Sequence, residues 1–274
     1  MTSKVLLSFD TEEFDFPRER GETFSLKEGI KVSKEGTLKI LKILKDTNVK
    51  ATFFVTGNFA KNEPSLIKEI IKDGHEVAAH GIDHFKPKKS DIKEAKAALE
   101  KITGKKVRGW RQPRMQKIDY QELVQNHYHY DSSVNPAFIP GRYNNANISR
   151  TPFLISVNNK TPQNKPAKSS KNTILEIPAS TATFMRIPLF WLALHLFPFW
   201  FYKTLANNSL KKTGLLVTYF HPWEFTDLSK FKIVPWYIKR NSNAKLEKRL
   251  EKLIIYLKKQ NCTFIKYSDY QLQK

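Results

Sequence analysis

The stretch KVLLSFDTEEFDF, from Lys4 to Phe16, joins a short apolar run to four carboxylates. The run Val5–Phe9 is typical of a strand buried on both faces, because it is almost continuously apolar. It is followed within six residues by Asp10, Glu12, Glu13 and Asp15. Carboxylates packed this closely repel one another, so solvent, a cation or a catalytic role must account for them.

Apolar runs alternate along the chain with segments of helical period. Besides Val5–Phe9, the predicted strands are Ala51–Thr56, Glu76–Ala79, Val107–Trp110, Tyr128–Ser132, Ile174–Ile177, Leu215–Phe220 and Thr263–Tyr267. Three amphipathic helices are predicted. The first covers about residues 34–46 and has Leu38, Leu41 and Leu44 on one face. The second begins after Ser90, its predicted N-cap, and the third covers about residues 244–259. This alternation predicts an α/β fold with a mostly parallel sheet, and about seven or eight strands favour a barrel, complete or incomplete.

The length of 274 residues suits a single α/β domain spanning residues 1–274. The least regular segment, about residues 135–172, is rich in Asn, Pro, Lys and Ser and predicts a long surface excursion. The only cysteine, Cys262, excludes an internal disulfide. The first apolar run is shorter than the core of a secretory signal, so we expect a cytoplasmic protein.

The composition is strongly basic, with a formal net charge of +21 and a pI of about 9.8. Such a surface favours anionic partners, which include nucleic acid, anionic lipid and acidic glycans. The charge alone does not choose among them. No RNA- or DNA-binding motif stands out in the sequence, so nucleic acid is not an expected partner.

Candidate functional residues fall at the carboxyl ends of the predicted strands, the face on which α/β barrels carry their active sites. They are Asp10 and Glu12 after the first strand, His80 and His84 after the third, Arg111 after the fourth, Asp131 at the end of the fifth and His221 after the seventh. Because strand ends of a barrel meet at one face, we expect these residues to converge.

The stretch GHEVAAHGIDH places His80 and His84 four residues apart, a spacing that suits two metal ligands on one helical turn. A carboxylate as third ligand leaves one coordination position open for water, and a bound metal lowers the pKa of that water. An isolated H-x-x-x-H is more often a pair of structural histidines. The pair Asp10 and Glu12, together with His221, favours the metal site here.

With these motifs the chain resembles the polysaccharide deacetylases of the carbohydrate esterase family four type. Five motifs of that family occur in order between Ser8 and Phe225, and FDTEE and GHEVAAHGIDH are the strongest. The resemblance implies a distorted (β/α) barrel of about seven or eight mostly parallel strands. It also implies a divalent metal, Zn²⁺ first, with Co²⁺, Ni²⁺ or another divalent ion as alternatives. The implied reaction removes N-acetyl groups from an amino-sugar-containing glycan or glycan precursor.

The resemblance further implies the metal ligands and the base. His80, His84 and Glu12 would bind the metal, and Asp10 would be the general base. The first motif departs from the commonest pattern, because Thr11 stands where many relatives have a metal-binding aspartate. Glu12 is favoured as the carboxylate ligand, and Glu13 stays open as an alternative. Where they bind no metal, Glu13 and Asp15 are expected to be solvated loop residues.

The acid side of the site is implied in the same way. His221 would protonate the leaving amine, and Asp131 would tune it. Arg111 would keep Asp10 ionised and oriented, and a backbone N–H near Arg114 would polarise the acyl carbonyl. Two further departures concern substrate contacts. Gly81 replaces the usual hydroxyl residue after the first metal histidine, and Arg114 stands where a small or aromatic residue is usual.

The segment IPLFWLALHLFPFWFY, Ile187–Tyr202, is apolar and aromatic but short and interrupted by proline for a membrane span. Two interpretations stay open, a buried helix of the barrel or an interfacial segment beside the active site. With the basic surface, the second predicts peripheral contact with an anionic membrane at its inner face. It also predicts a lipid-linked sugar as substrate.

Three functions therefore remain in view. The first is the metal-dependent N-deacetylase, acting on an N-acetylated glycan or lipid-linked sugar. The second is a deformylase or related amidase on a lipid-linked amino sugar, because formyl and acetyl groups differ by one methyl group. The third is a non-catalytic binder of anionic glycan or nucleic acid, which the conjunction of acids, histidines and arginine at the strand ends disfavours.

Overall fold

The run Val5–Phe9 lies within β1 (Lys4–Thr11), whose side chains alternate between two cores. The structure is a computed structural model that describes residues 2–139, 143–157 and 172–272. The odd-numbered residues from Val5 to Phe9 pack against the surrounding helices, whereas Leu6 packs inside the curled sheet. Ser8 and Asp10, the next residues on the inner side, contact a buried arginine. A strand buried on both faces therefore delivers polar groups to the inside of the sheet.

Ten further strands follow β1 in the described residues. They are β2 (Thr52–Val55), β3 (Glu76–Ala79), β4 (Gly109–Trp110), β5 (Tyr130–Asp131), β6 (Phe138–Ile139), β7 (Tyr143–Asn144), β8 (Phe153–Ser156), β9 (Thr173–Glu176), β10 (Leu215–Phe220) and β11 (Thr263–Phe264). The main sheet has the order β10-β1-β2-β3-β4-β5-β9-β8, and β11 also pairs with β1. All its pairs are parallel except β8 with β9.

The sheet curls so that the segment after β9 reaches β10. The backbone N–H of Ser180 donates to the carbonyl oxygen of Val217 at 2.9 Å, and the N–H of Val217 donates to Ser180 Oγ at 2.9 Å. This link lies where a further strand would close a complete barrel. The predicted α/β fold, a distorted barrel of mostly parallel strands, is confirmed.

Each predicted strand overlaps an observed one, but the segment 135–172 was interpreted incompletely. Instead of a plain excursion, it includes the β6–β7 hairpin and β8, which pairs antiparallel with β9 at the sheet edge. A strand of four residues whose partner begins 17 residues later gives no turn signal in the sequence. The other parts of that segment, residues 140–142 and 158–171, lie outside the described residues. The single-domain organisation stays a prediction.

Nine helices cover the described part of the sheet. They are α1 (Leu26–Asp46), α2 (Gly57–Asn62), α3 (Pro64–Lys72), α4 (Asp91–Thr103), α5 (Tyr120–Gln125), α6 (Trp191–Leu196), α7 (Phe199–Thr213), α8 (Trp236–Lys239) and α9 (Ala244–Lys259). The apolar segment Ile187–Tyr202 thus forms α6 and the beginning of α7. Among the described helices, none has both the length and the apolar character needed to cross a bilayer.

Helix α1 begins eight residues earlier than the sequence pattern predicted. Ser25 and Glu28 form a capping box, in which the Ser25 Oγ accepts from the Glu28 N–H and Glu28 accepts from the Ser25 N–H. The buried face includes Ile40 and Leu44, but Leu38, expected on that face, is 46% exposed. The apolar spacing of the second half of α1 therefore predicted both the first residue and the buried face of this helix incorrectly.

A glycine allows α1 to touch the chain that follows β10. A Cβ atom added to Gly36 would lie 1.7 Å from the carbonyl oxygen of Pro222. Pro222 begins a short 3-10 turn, Pro222–Phe225, directly after the candidate residue His221. Backbone contact at this point fixes the position of His221 against the helix layer.

We expect Gly36→Ala to destabilise the protein by about 2 kcal/mol, because the added methyl group forces α1 away from the Pro222–Phe225 turn. At an ordinary helix position the same change stabilises by about 0.5–1 kcal/mol, so the sign of the effect identifies the contact. Urea unfolding measures the free energy, and Lys31→Ala on the exposed face of α1 is the control. A Gly36→Ala variant as stable as the parent would contradict the contact.

Candidate active site

The carboxyl ends of β1, β3 and β10 surround a cleft of about 320 Å³. Asp10 and Glu12 line it from the end of β1, His80 and His84 from the segment after β3, and His221 from the residue after β10. Because these strands are parallel and lie close together in the curled sheet, residues far apart in sequence meet at one face. The structure brings together five of the seven residues predicted from the sequence in this lining.

Three of these residues form a cluster with the geometry of metal ligands. Glu12, His80 and His84 each offer one ligand atom, and these atoms lie within 4.8 Å of one another. Nε2 of His80 and Nε2 of His84 lie 3.2 and 3.1 Å from Glu12 Oε2. The Nδ1 atoms point elsewhere, to the Arg111 carbonyl oxygen at 2.8 Å and to Asp15 Oδ2 at 2.9 Å. Donation from Nδ1–H leaves both Nε2 lone pairs for a metal, and two imidazoles with one carboxylate suit a zinc-type ion.

Glu13 and Asp15 are not solvated loop residues, as the sequence had suggested, but are buried at 1% and 5% exposure. Glu13 accepts hydrogen bonds from Thr56 Oγ1 at 2.7 Å and from the backbone N–H of His84 at 3.0 Å. It therefore anchors the loop that carries His84, and Glu12 is the carboxylate that faces the two histidines. Burial raises the pKa of Glu13, although the hydrogen bond from Thr56 acts in the opposite direction.

The carboxylates give the ligand cluster a preference for positive charge. Burial opposes ionisation of Glu12, but His84 and His221 lower the pKa of Glu12 to about 2. Burial also opposes the charged form of His84, but Glu12 and Asp15 raise the pKa of His84 to about 10. The physical cause in both cases is the attraction between opposite charges at short distance in a buried place. A divalent cation at the Nε2 atoms would satisfy the same carboxylates.

Arg111 lies behind the cleft with its side chain fully buried and every guanidinium N–H donated. Nη1 donates to Asp10 Oδ1 at 2.5 Å and to Ser8 Oγ at 3.1 Å. Nη2 donates to Ser132 Oγ at 3.0 Å and to the Tyr267 hydroxyl at 3.1 Å, and Nε donates to the Ser132 carbonyl oxygen at 2.9 Å. Burial opposes the charge, but Asp10 raises the pKa of Arg111. Arg111 thus holds one oxygen of Asp10 in a fixed direction.

His221 belongs to a hydrogen-bonded chain with Glu224 and His195. Its Nδ1 lies 2.7 Å from Glu224 Oε1, and Glu224 Oε2 lies 2.8 Å from Nε2 of His195. Donation from Nδ1–H to Glu224 leaves Nε2 of His221 facing the cleft, 4.0 Å from Asp10 Oδ2. Burial opposes the charged form of His221, but Glu12 and Glu224 raise its pKa. His195, which lies in the apolar segment Ile187–Tyr202, is therefore part of the support of His221.

Asp131, expected to tune His221, lies elsewhere, and Glu224 takes that position. Asp131 and Glu176 are register partners on β5 and β9, so their side chains face each other inside the sheet. Burial and the neighbouring Asp131 raise the pKa of Glu176 well above its ordinary value. Ser133 Oγ donates to Asp131 Oδ1 at 2.5 Å. The correction follows from strand register, which the sequence pattern did not fix.

The two departures at Gly81 and Arg114 have structural explanations. Gly81 has a φ of +74°, and an added Cβ would lie 2.7 Å from Cγ of Pro113. Both the backbone conformation and the close approach exclude a larger residue there. Arg114 has a φ of 57° and forms an ion pair of 2.7 Å with Glu19 at the rim of the cleft. A basic side chain therefore borders the entrance where the pattern usually has a small or aromatic residue.

Aromatic side chains, among them Trp191 and Trp223, complete the cleft. Trp191 lies edge-on to His221 with 5.3 Å between the ring centroids. Trp223 stacks on His221 at 5.1 Å, and its Nε1 donates to Glu12 Oε1 at 3.2 Å. No motif marks Trp191, which comes from the start of α6. Glu224 had a usable signal, because it stands three residues after His221 in a turn that begins with proline.

Two family models match consecutive parts of the chain. Residues 3–131 match the model described as Polysaccharide deacetylase. Residues 132–271 match the model described as Domain of unknown function (DUF3473). The first match contains the ligand cluster, Asp10 and Arg111, and the second contains His221 and its partners. The cleft is thus built from both matched parts.

Curated relatives share a short region with this chain. The chain is 46% identical over 48 residues to the peptidoglycan-N-acetylmuramic acid deacetylase PdaA of Bacillus subtilis, which is 18% of this chain and 18% of the relative. It is also 46% identical over 48 residues to a chitooligosaccharide deacetylase of Sinorhizobium fredii, which is 18% of this chain and 22% of the relative. The chain thus matches only about a fifth of the length of these relatives.

Solved structures share the fold at low sequence identity. A probable polysaccharide deacetylase from Pseudomonas aeruginosa PAO1 has a TM-score of 0.64 and 17% identity, with 97% of this chain and 88% of that one covered. The PuuE allantoinase has a TM-score of 0.63 and 15% identity, with 97% and 87% covered. A CE4 family pseudoenzyme from Bacillus anthracis has a TM-score of 0.50 and 15% identity, with 98% and 65% covered.

We expect Asp15→Asn to weaken Zn²⁺ binding by about 10–100-fold, because an amide replaces the carboxylate that holds His84 Nδ1. Titration of the metal-free protein with Zn²⁺ in competition with a chelator measures the affinity. The matched control is Asp83→Asn, in which the amide oxygen can still accept from the backbone N–H groups of Phe85 and Lys86. Equal affinities in the two variants would remove Asp15 from the support of the site.

Proposed function

We propose that the chain, whose residues 3–131 match the Polysaccharide deacetylase family model, is a metal-dependent hydrolase that removes N-acetyl groups from an amino-sugar-containing glycan or glycan precursor. The single observation that carries the proposal is the convergence of Glu12, His80, His84, Asp10 and His221 on one cleft. Amide hydrolysis needs three metal ligands, a carboxylate outside the ligand cluster as base and an imidazole outside it as acid, and the cleft contains all of these groups. A non-catalytic binder would not require this set.

The residues present fit a divalent metal, with Zn²⁺ as the first choice. Held by Glu12, His80 and His84, such an ion would supply Lewis-acid polarisation of the amide carbonyl and lower the pKa of a water molecule. Glu12 is fixed for this task by Trp223, whose indole N–H donates to its second oxygen. The three side chains are buried, so the ligand set is held in place by packing rather than by solvent.

Asp10 is the general base in this proposal. Arg111 binds its Oδ1 and leaves Oδ2 facing the cleft. The attacking water loses its proton to this oxygen as its own oxygen bonds to the acyl carbon. Because every N–H of Arg111 is already donated, the guanidinium cannot swing away, and Asp10 keeps one orientation through the reaction.

His221 is the general acid. Its Nδ1–H donates to Glu224, so Nε2 is the atom that carries the transferable proton. When the carbon–nitrogen bond breaks, the leaving amine takes this proton, and the products are acetate and a free amino sugar. Base and acid lie side by side, with Asp10 Oδ2 and His221 Nε2 4.0 Å apart. A proton can therefore return from Asp10 to His221 after turnover through a short path.

We expect Asp10→Asn to lower kcat by at least about 10²-fold, because asparagine keeps the shape but cannot accept the proton. Metal content, measured by mass spectrometry of the purified variant, should stay close to that of the parent. Acetate release from N-acetylglucosamine oligomers is the assay, and an N-formylated oligomer tests the amidase alternative. Loss of metal in this variant would make Asp10 a ligand, and full activity would exclude it as the base.

We expect Glu224→Gln to move the alkaline limb of the kcat profile to lower pH. The acid must be protonated, so the rate falls as pH rises through the pKa of His221. Glu224 raises that pKa, and glutamine removes the charge while keeping a hydrogen-bond acceptor. The pH dependence of kcat with the metal-loaded enzyme is the measurement, and Glu251→Gln on the exposed face of α9 is the control. An unmoved alkaline limb would separate Glu224 from the acid.

A further inference from the structure

Exposed apolar side chains are concentrated in the segment that brings Trp191 to the cleft. In the described residues, ten large apolar side chains are exposed, and six of them lie between β9 and α9, namely Phe184, Met185, Leu196, Trp200, Trp236 and Tyr237. The other four are Leu38 in α1, Phe138 in β6, Ile255 in α9 and Leu272 near the carboxyl terminus. Large exposed apolar groups concentrated on one face mark a surface that binds a partner or a membrane.

The first part of this surface is a hairpin between β9 and α6. Ala182 N–H donates to the Ile187 carbonyl oxygen at 2.7 Å, and the tip between them presents Phe184 and Met185, 75% and 67% exposed. Met185 and Arg186 have φ values of 54° and 50°, a conformation that costs free energy in residues other than glycine. The fold thus holds a strained turn whose apolar side chains contact mainly solvent.

Arginines anchor this hairpin at its base. Arg186 Nη1 donates to the carbonyl oxygens of Ile148 at 2.8 Å and Pro136 at 3.1 Å. Arg150 Nη1 donates to the carbonyl oxygen of Thr183 at 3.0 Å. The tip is therefore rigidly tied to the loop that follows β5, and two positive charges lie directly behind its apolar side chains. Apolar groups in front of cationic groups match the depth profile of an anionic bilayer surface.

The second part of the surface lies on helices α6, α7 and α8. Helix α6 packs against both α7 and α8. Trp200 in the first turn of α7 is 67% exposed, and Trp236 at the start of α8 is 69% exposed. Both lie on the cleft side, because α7 returns the chain to the start of β10 and α8 follows the end of β10. At its other end, α6 begins with Trp191, which lines the cleft.

The charge of this half of the chain matches an anionic surface. Between residues 132 and 246 the sequence has fifteen Lys or Arg and three Asp or Glu. Of the three acids, Glu176 and Glu224 are fully buried, which leaves Asp227 at the surface. A soluble polyanion would be attracted by the same charge, but it would gain little from exposed phenylalanine, methionine and tryptophan. An anionic lipid bilayer interacts favourably with both the basic charge and the exposed apolar side chains.

We propose that the cleft face docks on an anionic lipid bilayer, with the Phe184–Met185 tip, Trp200 and Trp236 inserted among the headgroups. The cleft then opens towards the membrane surface. In combination with the proposed function, on which this part rests, docking makes the substrate an amphiphilic, lipid-linked amino-sugar glycan. Attachment is peripheral and reversible, because the apolar contribution comes from a few side chains at the interface and the basic contribution is weakened by salt.

The test is co-sedimentation of the full chain with vesicles of phosphatidylcholine, with and without phosphatidylglycerol, at low and high salt. We expect binding to the anionic vesicles at low salt that falls at high salt. Phe184→Ser and the double variant Trp200→Ser with Trp236→Ser should each lower the partition coefficient by at least about fivefold. Leu38→Ser and Ile255→Ser are matched controls, because they remove exposed apolar side chains from other faces, and they should bind like the parent.

Three outcomes would overturn docking. The first is the absence of binding to anionic vesicles at low salt, and the second is a loss of vesicle binding in the control variants that equals the loss in the surface variants. The third is self-association of the parent in sedimentation velocity that Trp200→Ser abolishes without changing vesicle binding. The assay needs no turnover, so Asp10→Asn should bind vesicles normally. Vesicle binding by a protein that releases no acetate would refute the proposed function alone, whereas activity on soluble oligomers without vesicle binding would refute docking alone.

Discussion

The buried guanidinium of Arg111 is the interaction on which the rest of the site depends. It reaches the inner side of β1 through Ser8 and Asp10, the segment after β5 through Ser132, and the carboxyl-terminal turn through Tyr267. A buried charge of this kind is stable only when all its hydrogen bonds are made, and here they are. The curled sheet therefore closes around Arg111, and the orientation of Asp10 follows from the closure.

The four acids that end β1 are tolerated because each has its own partners. Asp10 faces Arg111, Glu12 faces His80 and His84, Glu13 holds the loop of His84, and Asp15 holds the His84 ring. Their repulsion is offset by positive or donating groups from the segments that follow β2, β3, β4 and β10. Such an arrangement is costly to assemble for stability alone, because buried charges rarely increase stability over well-packed apolar groups. In the proposed function, this arrangement prepares a site for a cation.

The two parts that the family models divide are joined chemically at the cleft. The first part supplies the ligand cluster and Asp10, and the second supplies His221 with Glu224 and His195. The same second part carries the exposed aromatic and basic side chains that we assign to membrane docking. In the two proposals taken together, this part of the chain both supplies the acid and forms the docking surface, which would link access of substrate to the position of the acid.

The sequence by itself determined the positions of eight of the eleven described strands and the convergence of five of the seven predicted residues on the cleft, because periodicity and strand ends are local signals. It also favoured Glu12 over Glu13. Only the tertiary structure decided which side chains of the site contact one another. Strand register paired Asp131 with Glu176, and the turn after β10 brought Glu224 to His221. Burial of Glu13, exposure of Trp200 and the place of β8 also depend on which segments pack together. Residues distant in sequence make these contacts, so no local pattern encodes them.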